Sequence, residues 1–236
     1  MKAFTKKIVL ENGREFYGYG FGAKRDALVE LVFNTSMAGY QEVLTDPSYA
    51  GQGIVMSYPL IGNYGVNSED NESSHPWVEM LVVRHLSPRG SNFRREMDLG
   101  DYMKEHDIPG IEGVDTRALT KLLRSQGSMN AMLTCAQQFD VGQVLERLHA
   151  YKVRDTIQKV TRSAPEEFPA IGEERYHVAM MDYGVKQHMI ECLRRRGCKV
   201  TVLPASTPAE KVLSGGYDGV MLSNGPGDPA ENTAII

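Results

Sequence analysis

The segment from His177 to Pro229, HVAMMDYGVKQHMIECLRRRGCKVTVLPASTPAEKVLSGGYDGVMLSNGPGDP, decides the fold class. His177 to Met181 is a short apolar run of strand type. Val185 to Arg196 repeats apolar residues at helical spacing, with Val185, Met189, Cys192 and Leu193 on one side and Gly197 placed to close the helix. Cys198 to Leu203 is β-branched and apolar. Thr207-Pro208-Ala209-Glu210 reads as a capping box with proline at the first helical position, and Asp218 to Ser223 reads as a third, buried strand. Strand, helix, strand, helix, strand calls for a parallel sheet with right-handed crossovers, an α/β domain of the doubly wound kind.

Ligands of such sheets bind beyond the carboxyl ends of the strands. Two loops qualify. One is Asp182-Tyr183-Gly184. The other is Ser223-Asn224-Gly225-Pro226-Gly227-Asp228-Pro229, in which prolines fix φ while glycines admit backbone shapes that other residues avoid. That composition makes a stiff loop with bare peptide N–H groups open to a ligand, the kind of donor an oxyanion requires.

Upstream, RSAPEEFPAIGEE (Arg162 to Glu174) is rich in Pro and Glu and lacks apolar periodicity, which marks a linker. The expected organisation is a first domain over 1–161, a linker over 162–175 and a second domain over 176–236. The first is β-rich. Short strand-like runs at Ile8 to Leu10, Glu15 to Tyr19, Leu28 to Phe33, Ile54 to Tyr58 and Met80 to Val83 are broken by glycine, with a turn at Asn12-Gly13. Helices enter late, at Asp115 to Ser125 and Asp140 to His149, each opened by an aspartate suited to the N-cap, the first closed by Gly127.

Composition excludes several function classes. The 236 residues are 42% hydrophobic and 24% charged with a net charge of -4, so no basic footprint for nucleic acid or an anionic membrane is present. No run approaches the roughly 18 apolar residues of a membrane helix, and Met1 to Gly13 lacks a signal-peptide core, which points to the cytoplasm. Cys135, Cys192 and Cys198 are odd in number, lack CxxC spacing and sit in or beside apolar segments, so they read as small buried hydrophobes rather than a disulfide set or metal site. No GxxxxGK[ST] string occurs, and Gly18-x-Gly20-x-Gly22 lacks the spacing of a dinucleotide loop. His177 and His188 read as structural histidines, Arg89, Arg94, Arg95 and Arg194 to Arg196 as solvated cations, and the methionines as core filler.

LSNGPGDP after an apolar strand resembles the loop of triad-type (class I) glutamine amidotransferases. MDYGVKQHMIECLRRRGCKVTVLPA (Met181 to Ala205) resembles the opening of that domain in the small subunit of carbamoyl phosphate synthetase. VFNTSMAGYQEVLTDPSYAGQGIVMSYPLIGNYGVN (Val32 to Asn67) and GIEGVDTRALTKLLRSQG (Gly110 to Gly127) resemble that subunit's own N-terminal domain. The resemblance covers essentially the whole chain. It implies a swivelling β/β/α-type N-terminal domain followed by the first part of a flavodoxin-like parallel-sheet amidotransferase domain.

What it implies for chemistry is glutamine hydrolysis by a cysteine thiolate with supporting histidine and glutamate. The ammonia would pass to a large subunit that uses bicarbonate and ATP with magnesium to make carbamoyl phosphate for arginine and pyrimidine synthesis. By motif match Gly225 supplies an oxyanion N–H, Gly227 helps hold glutamine, and Ser48, otherwise a turn serine after Pro47, reaches glutamine from the N-terminal domain. No cofactor is expected in this subunit. The cysteine, histidine and glutamate are expected beyond Ile236, so the chain alone is expected to be inactive and poorly soluble; Ala230 to Ile236 reads as the start of a helix. The rival reading is a shortened, non-catalytic module that docks on the large subunit. A flavodoxin-like cofactor binder leaves the N-terminal half without explanation.

Overall fold

The computed structural model describes residues 4–136 and 140–232, and it divides into two compact units. The first comprises residues up to Leu44, Gly51–Asn71 and Pro76–Val153; the second comprises Thr45–Ala50, Glu72–His75 and the chain from Arg154 onward.

The first unit is built on a closed barrel. Its elements in chain order are β1 (Lys6–Leu10), β2 (Glu15–Gly22), β3 (Ala27–Asn34), α1 (Tyr40–Thr45), β4 (Gln52–Met56), β5 (Leu60–Ile61), β6 (Met80–Val82), β7 (His85–Leu86), α2 (Leu99–Glu105), β8 (Pro109–Glu112), α3 (Thr116–Gln126), β9 (Met129–Thr134) and α4 (Val141–Ala150). The barrel order is β1-β2-β8-β6-β4-β3-β9, with β9 closing antiparallel onto β1. Alternation along β3 buries Ala27, Val29 and Leu31 while Leu28 and Glu30 stay partly exposed. The inward set meets Ile8, Leu10, Val55, Met80 and Leu133, and α3 adds Leu119, Leu122 and Leu123 to the same core. Asp115 caps α3 by accepting from Ala118 N at 3.0 Å, Asp140 caps α4 by accepting from Gly142 N at 2.8 Å, and Gly127 ends α3 at φ 90°. Two helices precede the expected late entry. The α1 and α2 segments span only six and seven residues, too short to declare a period.

The second unit contains α5 (Thr156–Val160), β10 (Glu166–Phe168), β11 (Tyr176–Asp182), α6 (Gln187–Arg194), β12 (Cys198–Pro204), α7 (Ala209–Leu213) and β13 (Gly219–Leu222). The sheet order is β10-β12-β11-β13, with β11 parallel to both β12 and β13. Its three parallel strands and two crossover helices are those read from the sequence. Residues 162–175, expected as a linker, contain β10, which pairs antiparallel with β12. Charged Glu166 and Glu167 suit an outer strand and hide it from a search for apolar periodicity.

Other expectations need correction. Among the described residues β13 lies at the sheet edge, where its composition reads as buried: Val220 and Leu222 are 54% and 65% exposed. α7 starts from Pro208 without any side-chain cap bond, so Thr207 closes no capping box. Cys135 is exposed, whereas Cys192 is half-buried and Cys198 buried. Pro229–Glu231 form a 3-10 turn, and the rest of the helix expected from Ala230 lies outside the described residues beyond Asn232. Among the described residues no helix is long and apolar enough to cross a membrane.

Candidate functional site

Parallel pairing brings the carboxyl ends of β11 and β13 side by side, so the loops at 182–184 and 223–229 emerge together. Asp182, 3% exposed, organises the first loop. Its Oδ1 accepts from Gly184 N at 3.1 Å and Val185 N at 3.0 Å, and its Oδ2 accepts from both the backbone N and the Nε of Arg162 at 2.9 Å. A buried carboxylate with four donors is held in place and is spent on architecture. Ser223 ties the two loops: its Oγ accepts from Tyr183 N at 2.9 Å and donates to Asn224 O at 2.8 Å.

The glycines of the second loop are sterically required. A Cβ at Gly225 would stand 2.4 Å from Tyr183 O, and one at Gly227, where φ is +79°, would stand 2.7 Å from Thr156 Oγ1. Thr156 in turn donates to Pro226 O at 3.2 Å. Gly225, Pro226 and Gly227 line a cavity of about 480 Å³ together with Tyr183, Ser223, Ile157 and Asn232. This size and mixture of apolar walls and backbone polar groups suits a small molecule. Burial raises the Tyr183 hydroxyl above its ordinary pKa.

Ser48 belongs to the same compact unit as these loops. It sits in a 3-10 turn over Pro47–Tyr49, whose N-cap Asp46 accepts from Ser48 N at 2.9 Å. A Cβ at Gly184 would lie 3.3 Å from Gly225 Cα, from Pro226 Cδ and from Pro47 Cβ, so the three segments meet at this glycine. Ser48 does not itself line the cavity; its Oγ is buried and has no hydrogen-bond partner among the described residues.

Sequence reasoning missed three contributors. Lys186 Nζ lies 3.5 Å from Asp46 Oδ2, linking the start of α6 to the Ser48 turn. Glu72 caps α6 in place of a local side chain, accepting from Gln187 N with its carbonyl (2.7 Å) and from His188 N with Oε2 (3.1 Å). Thr156 supports Gly227. Lys186 stands in the quoted motif, three residues after Tyr183, and its charge before a helix was the available signal; the distant Glu72 and Thr156 gave none. His177 Nε2 is 2.8 Å from Thr201 Oγ1, and His188 lies on α6. None of the three cysteines lines the cavity, and among the described residues no cluster of three or more His, Cys, Asp or Glu could hold a metal.

A parallel sheet whose carboxyl-end loops form a glycine-walled cradle, joined to a separate β-barrel unit, is the architecture that the sequence resemblance implies for a class I glutamine amidotransferase domain with an extra N-terminal module. The family comparisons agree: residues 179–236 match the class-I glutamine amidotransferase family, and residues 8–133 match the carbamoyl-phosphate synthase small chain, CPSase domain. The chain belongs to the carbamoyl-phosphate synthase small chain family. It is similar to the carbamoyl phosphate synthase small chains of Clostridium perfringens (45% identical over 225 residues, 95% of this chain and 63% of the relative), Listeria monocytogenes (44% over 229, 96% and 62%) and Bacillus anthracis (43% over 226, 96% and 61%). The chain thus spans little more than three-fifths of these curated relatives.

Proposed function

We propose that the protein is the glutamine-hydrolysing component of a carbamoyl phosphate synthetase. It releases ammonia to a large subunit that combines it with bicarbonate at the expense of ATP, with magnesium, for arginine and pyrimidine synthesis in the cytoplasm. The observation that carries this reading is the meeting of the Pro47-Ser48 turn with Gly225-Pro226 at Gly184, beside the cavity that Gly225, Pro226 and Gly227 line. In this reading the 223–229 loop receives the glutamine side chain. A thiolate attacks the amide carbon, the carbonyl electron pair moves onto oxygen, and Gly225 N–H donates to that oxyanion. Collapse expels ammonia after protonation of the nitrogen, and water cleaves the thioester to glutamate. Gly227 and the Ser48 hydroxyl hold the substrate. The thiolate and its histidine and glutamate partners come from outside residues 1–236, so this chain alone turns over no glutamine, and it carries no cofactor of its own.

The test compares Gly225→Ala with Gly225→Pro in the full protein. Both introduce a Cβ against Tyr183 O, but only proline deletes the N–H. Loss of one oxyanion donor costs about 10²–10³ in kcat. A glutaminase assay should find proline lower than alanine by that order; equal values would remove the oxyanion assignment.

A further inference from the structure

A second cavity, of about 600 Å³, lies in the first unit against α3. On this helix Arg117, Thr120, Lys121 and Arg124 follow the spacing i, i+3, i+4, i+7, so they form one stripe, while Leu119, Leu122 and Leu123 are buried in the barrel core on the other. The stripe lines the cavity with Arg84, Ser57 and Thr116. Arg84 is steered there by its Nη1, which donates to Gly113 O and Val114 O at 3.4 Å.

Four cations therefore face one concavity in a chain whose net charge is -4. Among the described residues the only carboxylate lining it is Asp115, whose Oδ1 is engaged by Ala118 N. Among the described residues none of Arg84, Arg117, Lys121 and Arg124 has a carboxylate within 4.0 Å, whereas Arg25, Arg94, Arg95 and Arg162 each do. Like charges at i and i+4, as in Arg117 and Lys121, oppose helix formation, so the stripe weakens α3 unless an anion compensates it. Thr120 Oγ1 is also buried without a partner among the described residues, a polar atom left open beside the cations.

We propose that this cavity binds a small, multiply charged oxyanion of the phosphate-bearing class. The volume falls within that of small-molecule sites, guanidinium forks match phosphate oxygens in pairs, and the Thr120 hydroxyl supplies a short-range donor. A concave site with a buried hydroxyl favours such a ligand over an acidic protein segment, which needs only surface charge.

Inorganic pyrophosphate is the probe, titrated into the intact protein by calorimetry at two salt concentrations. Arg117→Gln/Lys121→Gln should weaken binding at least tenfold, while Arg195→Gln/Arg196→Gln, which removes equal charge from α6's exposed end, should change it less than twofold. Thr120→Val should weaken it roughly threefold or more, the loss of one hydrogen bond. Equal affinity in all variants overturns the proposal. So does tight binding of a polyglutamate peptide with pyrophosphate at background, which would assign the stripe to a protein partner.

Discussion

Removing the Ser48 hydroxyl should push stability and substrate affinity in opposite directions. The Ser48 Oγ is buried with no partner among the described residues, whereas the turn is held by Ser48 N–H donating to Asp46. A buried hydroxyl left unpaired costs about 1–3 kcal/mol. Ser48→Ala deletes that atom and leaves the turn bond intact, so the unliganded protein should gain about 1 kcal/mol, seen as a melting temperature raised by about 2–4 °C. If the hydroxyl's partner is glutamine, the same substitution removes a bond worth about 0.5–1.5 kcal/mol, or roughly a 2- to 12-fold rise in KM with kcat little changed. Both readings come from the same purified variant of the full protein, by thermal unfolding and by glutamate release. A variant that loses about 1 kcal/mol of stability and keeps its KM would show that Ser48 is a structural turn residue, and the substrate role would be refuted.

Asp182→Ala strips four donors of their acceptor and leaves Arg162 with only the exposed Glu166 carboxylate, which should cost about 3 kcal/mol in denaturant unfolding followed by circular dichroism, with Asp182→Asn intermediate. A loss below about 1 kcal/mol would show that the loop is held by packing instead. In the first unit, the Arg95 guanidinium and then the Gly90 N–H hold the Asp98 carboxyl at about 2, below its ordinary 3.8. A folded pKa below the unfolded one means that this contribution is complete above 3.8 and disappears as pH falls toward 2. Arg95→Gln should move the Asp98 titration, read by NMR, back toward 3.8; an unmoved midpoint would assign the depression to Gly90 alone.

Much of this architecture was legible because it is local. The β11-α6-β12-α7-β13 alternation follows from period and glycine punctuation, and Asp115, Asp140 and Gly127 announce helix ends through chemistry within a few residues. Features fixed by distant partners were not. β10 is charged and reads as linker, yet its backbone pairs with β12. β13 reads as buried from its composition, but burial depends on what stands beside a strand, and nothing in VML records that it lies at the sheet edge. The cradle shows the same division. Gly225 and Gly227 stand out as loop glycines, while the reason for each, Tyr183 O and Thr156 Oγ1, is visible only in three dimensions.

Two aspartates account for how segments so far apart in sequence present one surface. Asp46 divides its oxygens, Oδ1 holding the Ser48 turn and Oδ2 facing Lys186 at the start of α6. Asp182 does likewise, with Oδ1 on the loop that carries Gly184 and Oδ2 on Arg162. Neither oxygen pair is left over for substrate, so both carboxylates act as brackets, and the groups facing the cavity are neutral: peptide N–H, hydroxyl and apolar wall. A neutral cradle fits a carboxamide, whose oxygen becomes charged only during reaction, because fixed dipoles then gain strength as that charge appears. In the proposed reaction a carboxylate aimed into the same space would oppose the developing oxyanion, and Asp182, beside the cavity residue Tyr183, instead spends its oxygens on Arg162, Gly184 and Val185.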